Sequence, residues 1–216
     1  MRERGKKVNI LILSTRIPYP LTAGFRIRIY NTAKYLKSAG HTMGLIQLSS
    51  SKLSKHDEEH LRKVFDSIIT IKISKIESIK NLFTCIFRRQ IPFQVALYQN
   101  KEMKQKLKKL SQEYDVIIAN HIRTAEYIKL LQGIKKVLDM HDAISYNYLK
   151  AMKYTKGIKQ LVYRIEYKRL ISYERDIVHS FDKVVLILSL IHIYQTFHLG
   201  RSGFADNFFI KNHHRS

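Results

Sequence analysis

The stretch VNILILSTRIPYPLTAGFRIR, residues 8–28, decides the fold. Residues 8–13 form an apolar run of strand length, as expected of a parallel strand buried on both faces. Pro18, Pro20 and Gly24 then break the run. Residues 25–39 place Ile29, Ala33 and Leu36 on one helical face, and Gly40 follows as a stop. Residues 42–48 (TMGLIQL) supply a second strand. Strand, loop, helix and strand in this order make one unit of a parallel sheet.

The same alternation continues along the chain. A short helix is expected over 57–66, a strand over 67–73, and an amphipathic helix over 75–89 that stops ahead of Pro92. A basic helix covers 101–113, a buried-type strand 115–119 (DVIIA), a helix 124–131 and a strand 136–140 (KVLDM). Helices over 143–153 and 158–179 precede a last strand at 183–187. The pattern predicts an α/β domain with a Rossmann-like, mostly parallel sheet covered by helices on both faces. That domain is expected to span residues 1–187. Residues 188–216 depart from the alternation, and four of the ten histidines fall there without periodicity. LSLIHI at 188–193 reads as the translated end of a sequencing adapter, so 188–216 is expected to be a non-native tail.

Composition narrows the classes. With 45% hydrophobic and 26% charged residues, the 216-residue chain is ordinary globular material. Three prolines and eight glycines exclude a collagen-like or linker chain, and one cysteine excludes a disulfide framework or Cys-based zinc site. No apolar run approaches the ~18–20 residues of a membrane-spanning helix, and residues 1–7 lead into the first strand without an apolar leader. The net charge of +22 stands apart. Residues 188–216 contribute three basic and one acidic residue to it, so +20 belongs to the domain. Lys101, Lys104, Lys106, Lys108 and Lys109 share one helix, and Lys159, Arg164, Lys168, Arg169 and Arg175 share another with Tyr163, Tyr167 and Tyr173. Such surfaces suit nucleic acid, an anionic membrane or phosphorylated substrates. No helix-turn-helix, zinc-finger or RNP motif makes them specific for nucleic acid.

Three constellations could carry chemistry. Gly24 admits a ligand close to the backbone, and the N–H groups that open the following helix favour an anion. Arg26 and Arg28 add charge there, although residues two apart cannot point the same way. Neither G-x-G-x-x-G nor G-x-x-x-x-G-K-[ST] is present, so a proline-rich loop with a solvated arginine pair is the alternative. Asn120-His121-Ile122-Arg123 follows the DVIIA strand. His121 could orient a hydroxyl or exchange a proton near neutral pH, and Arg123 could clamp a phosphate or carboxylate. Asp139-x-x-Asp142 with Ser145 suits hydroxyl binding or a helix cap. With no third carboxylate nearby, no metal is expected.

The order of these features resembles the N-terminal domain of family 4 glycosyltransferases, described as "glycosyltransferase subfamily 4-like", which have the GT-B fold. IPYPLTAGFRIR (17–28), GHTMGLIQL (40–48), YDVIIANHIRTAEY (114–127) and LDMHDAIS (138–145) carry the resemblance, with Tyr173-Glu174-Arg175 and FDKVVLI (181–187) near its end. It implies the acceptor-side domain of an interdomain cleft, with Gly24 and its neighbours Arg26 and Arg28 near the donor diphosphate or the acceptor. Relatives place a sugar-contacting histidine where this chain has Asn120, with His121 one residue later, so both are catalytic candidates. Arg123, Asp139 and Asp142 match positions in that family, and Arg123 and Asp142 join the binding candidates. The family works by retaining, metal-independent transfer with no cofactor beyond a nucleotide-sugar co-substrate. A second domain with an E-x7-E element would be needed, so the chain is expected to be a truncated enzyme, inactive alone. The implied partners are a nucleotide-sugar and a glycan or lipid-linked acceptor in cell envelope polysaccharide synthesis. The implied location is cytoplasmic, peripheral on the anionic inner face of the membrane. The rivals are a non-enzymatic basic module that binds nucleic acid, and a small single-domain enzyme.

Overall fold

The structure, a computed structural model, describes residues 6–87 and 91–186. Ile187 and the tail at 188–216 lie outside the described residues. The strands are β1 (Asn9–Ser14), β2 (Thr42–Ser49), β3 (Ser67–Lys72), β4 (Val116–Asn120), β5 (Lys135–Met140) and β6 (Lys183–Leu186). They form one sheet in the order β3-β2-β1-β4-β5-β6. Each pairing is parallel, so the described sheet is wholly rather than mostly parallel.

The apolar runs explain this arrangement. Successive side chains of a strand point to opposite faces, so a strand with apolar residues at successive positions needs cover on both. Leu11 and Leu13 join Ile46, Leu48, Ile117, Ala119 and Leu138 in one core. Ile10 and Ile12 join Met43 and Leu45 in the other. Over the second core lie α1 (Gly24–Ser38), through Ile29 and Ala33, and α2 (Lys55–Arg62), through Leu61. Over the first lie α5 (Lys101–Leu110), α6 (Ala125–Ile128), α7 (Ile144–Met152) and α8 (Gly157–Ile177). α3 (Lys75–Phe87) and a short α4 (Phe93–Ala96) stand between β3 and α5 in the chain.

Three elements differ from the sequence expectation. The helix foreseen over 57–66 starts earlier and ends at Arg62, because the Ser54 hydroxyl accepts the Asp57 N–H at 3.0 Å and caps it. The helix foreseen over 124–131 is a 3-10 turn (Ile122–Thr124) followed by the single α-turn of α6. There the Thr124 hydroxyl donates back to the carbonyls of Asn120 and His121, tying the chain to the end of β4. α4 has no periodicity in sequence that could have announced it.

One glycine is fixed by close approach. A Cβ on Gly44, in β2, would lie 2.8 Å from Cζ of Tyr114, whose hydroxyl pairs with that of Ser67 at 2.8 Å. Gly44→Ala is therefore expected to lower stability by ~1–3 kcal/mol through overpacking, read as a lower urea midpoint with unchanged slope.

Candidate functional site

The chain leaves β1 toward β2 and β3, then crosses back to place β4 on the other side of β1. Loops after β1 and β4 therefore diverge, and a crevice opens at the carboxyl ends of these strands. It is a cleft of about 730 Å³. Its walls are the β1 loop (Ser14, Thr15, Arg16), the first residues of α1, the turn after β4 and the approach to α7.

The start of α1 is open. Ala23 at its N-cap offers no side-chain bond, and the first turn holds no acidic residue. The N–H groups of Arg26 and Ile27 return to the Ala23 carbonyl, which leaves those of Gly24 and Phe25 without a helical partner. A Cβ at Gly24 would meet nothing within 4 Å, so the glycine faces open space in the cleft.

The two arginines of this helix part ways. Arg26 folds back to the Pro20 carbonyl at 3.0 Å and the Thr22 hydroxyl at 3.4 Å, and it does not line the cleft. Arg28 lines the cleft but forks onto Asp139 of β5, with Nη2–Oδ1 at 2.7 Å and Nε–Oδ2 at 2.9 Å. The hydrogen bond to Asp139 holds the Arg28 pKa up despite partial burial. Arg16, which sequence reasoning passed over, stands above the Phe25 ring at 5.3 Å and reaches the cleft.

Asn120, His121 and Arg123 are brought together at the end of β4. Asn120 is buried and donates through Nδ2 to His141 Nε2 at 2.7 Å. His141 lies 3.8 Å from Asp139, so a polar chain runs under the cleft from Arg28 through Asp139 and His141 to Asn120. His121 has φ 77° and ψ 147°, backbone space that an L side chain rarely adopts. Its Nδ1 accepts the Arg123 N–H at 3.3 Å, which leaves Nε2 to carry the proton. Loss of solvent, then the charge of Arg123, His141 and Arg16, lowers its pKa to about 3. The imidazole is thus neutral at physiological pH, which favours the first of its two expected roles, orienting a hydroxyl, over proton exchange near neutrality.

Of the two candidate arginines that line the cleft, Arg28 is paired with Asp139 and Arg123 is engaged by no carboxylate. Its Nη2 donates to Gln94 Oε1 at 2.6 Å, its guanidinium stands 5.0 Å from the Tyr98 ring centre, and its buried Nε has no partner. Gln94 belongs to α4, and Glu166 of α8 explains its position. The buried Glu166 carboxylate accepts the N–H groups of Phe93 and Gln94, both at 2.8 Å. A second buried carboxylate of α8, Glu174, accepts the Ser145 N–H at 3.1 Å and its hydroxyl at 2.5 Å. Glu174 thus caps α7. Asp142 does not: Ala143 occupies the N-cap position, and Asp142 stands exposed at the rim of the cleft. Among the described residues, no group of three or more His, Cys, Asp or Glu side chains is placed to hold a metal. The cleft offers two backbone N–H donors, an unneutralised guanidinium and a neutral imidazole, which together suit a phosphate-bearing ligand.

No protein-family model and no curated protein matches the chain. Solved structures do. The chain is similar to UGT2 of Phytolacca americana, solved with UDP-2fluoro-glucose and pterostilbene, at 11% identity and a TM-score of 0.51 over 88% of this chain and 51% of that one. It is also similar to a UDP-glucosyltransferase from Polygonum tinctorium, at 9% identity and a TM-score of 0.46 over 84% and 46% of the two chains. An alpha-glucosyltransferase in complex with UDP matches at 14% identity and a TM-score of 0.42 over 95% and 43%. The first likeness shows the fold, a Rossmann-like α/β domain of the kind found in GT-B glycosyltransferases. The chain spans about half the length of that structure.

Two outcomes test this geometry. In an NMR titration the His121 ring signals should stay flat from pH 8 to pH 5. Its folded pKa of about 3 lies below the ordinary 6.5, so its contribution to stability is complete above 6.5 and is lost as pH falls toward 3. Glu166→Gln should cost ~1–3 kcal/mol in thermal unfolding, because an amide N–H₂ would face one of the two α4 N–H groups.

Proposed function

We propose that residues 1–187 are the acceptor-side domain of a family 4-type glycosyltransferase. The enzyme moves sugar from a nucleotide-sugar to a glycan or lipid-linked acceptor. The observation that carries this reading is the meeting, in one cleft, of the open start of α1 at Gly24 with Arg123. That pair suits a diphosphate: the N–H groups of Gly24 and Phe25 approach from one wall and the guanidinium from the other. Both meet negative charge that grows on the leaving diphosphate as the sugar departs, which is where fixed donors lower a barrier. His121 offers Nε2–H to a sugar hydroxyl and orients it. Asn120 acts through His141 and is a positioning residue. Arg28 supports the wall through Asp139, and Arg26 closes the loop that precedes α1. Asp142, exposed at the rim, is placed to accept from a hydroxyl. Transfer proceeds without a metal or a further cofactor. The remaining donor contacts belong to a second domain with the E-x7-E element, as the half-length match suggests, so the chain by itself is expected to be inactive.

A cytoplasmic enzyme held on the inner face of the membrane fits a chain of net charge +22 whose acceptor is lipid-anchored. No helix among the described residues is long and apolar enough to cross a membrane. The rival, a nucleic-acid-binding module, leaves the cleft unexplained.

Titration with uridine diphosphate, followed by ¹H–¹⁵N NMR, tests the reading. The Gly24 and Phe25 amides and the Arg123 Nε–H should shift, and Gly24→Val or Arg123→Ala should each weaken binding ~10-fold, as for loss of a charge-assisted bond. If uridine diphosphate leaves these signals in place while duplex DNA binds with a steep salt dependence, the nucleic-acid module is the right description.

A further inference from the structure

Two helices carry apolar stripes on their outer faces, and the stripes meet. On α8, Ile158, Leu161, Val162 and Ile165 are 83%, 56%, 43% and 40% exposed. On α3, Ile76, Ile79, Phe83 and Ile86 are 67%, 65%, 65% and 52% exposed. Spacings of three and four residues put each set on one side of its helix. Arg169 continues the α8 stripe one turn beyond Ile165, and its guanidinium donates to the carbonyls of Cys85 at 3.1 Å and Ile86 at 3.4 Å. The end of one stripe is thereby joined to the end of the other. The buried side chains of α8, from Glu166 to Ile177, all belong to its second half. The first nine residues (157–165) hold none, and at ~1.5 Å per residue they form a rod of about 13 Å beside the core.

The charge around these stripes has one sign. From Lys153 to Tyr173 there are six basic residues and a single acid, Glu166. That acid is buried and accepts the α4 N–H groups, so it adds no negative charge outside. On α3, Lys75 and Lys80 are exposed, while Glu77 turns to the Asn100 amide at 3.0 Å. Tyr154, 88% exposed, adds an amphipathic ring ahead of α8. Isolated exposed aliphatics are ordinary on a protein surface, but two joined stripes with a basic border mark an interaction site. Nucleic acid would answer the lysines and leave the isoleucines in water. A second copy of the chain would answer the isoleucines and set lysine against lysine. The interface of an anionic bilayer answers both, with phosphates for the basic border and the acyl boundary for the aliphatics.

We infer that the α3–α8 face docks on an anionic lipid surface, with Ile76, Ile79, Ile158 and Leu161 inserted at the headgroup boundary. The inference rests on the peripheral-membrane part of the proposed function and names the surface that would do it. The face is linked to the cleft wall through interior contacts. Ile165 precedes Glu166, Glu166 holds Gln94, and Gln94 holds Arg123.

The test is co-sedimentation of the full chain with vesicles of phosphatidylcholine alone, or mixed with phosphatidylglycerol, in 0.1 and 0.5 M NaCl at constant pH. The wild-type chain should bind the mixed vesicles and keep part of that binding in high salt, because inserted aliphatics are not screened. Ile76→Ser/Ile79→Ser and Ile158→Ser/Leu161→Ser change positions that are more than half exposed, so the variants should unfold close to the wild-type temperature. Each pair should lower the partition on the order of ten-fold and remove the salt-resistant part. Wild-type partition by both variants would overturn the inference while leaving charge-driven attachment intact. Failure of the wild-type chain to bind mixed vesicles would overturn the inference and the peripheral reading together. A concentration-dependent dimer in light scattering that the same substitutions abolish would overturn it in favour of self-association. Retained uridine diphosphate shifts in the variants would separate each of these results from the cleft chemistry.

Discussion

Two carboxylates buried along α8 hold the upper part of this domain in place. A buried carboxylate is costly unless donors meet it, and here each meets two. Glu166 takes the N–H groups that open α4, and Glu174 takes the Ser145 N–H and hydroxyl in the first turn of α7. The requirement is mutual: the helix starts need acceptors, and the carboxylates need donors. α4 therefore stands where Gln94 can hold Arg123, and α7 starts where Asp142 reaches the rim of the cleft. The first half of α8 is left over from this arrangement, with no buried residue of its own.

Beneath the cleft a second set of contacts fixes the floor. Arg28 crosses from α1 to Asp139 on β5, joining elements on either side of the β1/β4 reversal. That pairing removes Arg28 from the cations that a ligand can use, and of the candidate arginines lining the cleft it leaves Arg123 without a carboxylate. The positive charge of the cleft is therefore concentrated near Arg123 and Arg16. The same charge, added to the loss of solvent, keeps His121 neutral.

The fold was legible because each strand of a doubly covered parallel sheet must be apolar on both faces. VNILIL and DVIIA could be little else. Gly24 was legible because its place after the first strand is where such sheets bind ligands. Three features could not be read. Glu166 and Glu174 look in sequence like solvated charges on a basic helix, and only the packing of α8 reveals that both are inside. The partner of Arg28 lies 111 residues away, so pairing and ligand binding are indistinguishable along the chain. The pKa of His121 depends on enclosure by Arg123, His141 and Arg16, which come from separate elements.

The backbone at His121 has one more consequence. With φ at 77° and ψ at 147°, the backbone at this position favours glycine. A side chain is kept against that preference, and it is a ring that makes no ion pair and stays uncharged. Conformational ease and an imidazole are in competition at this residue, and the imidazole prevails. The ring offsets part of that strain by accepting the Arg123 N–H at the start of the turn after β4, and it sets a neutral imidazole in the wall of the cleft.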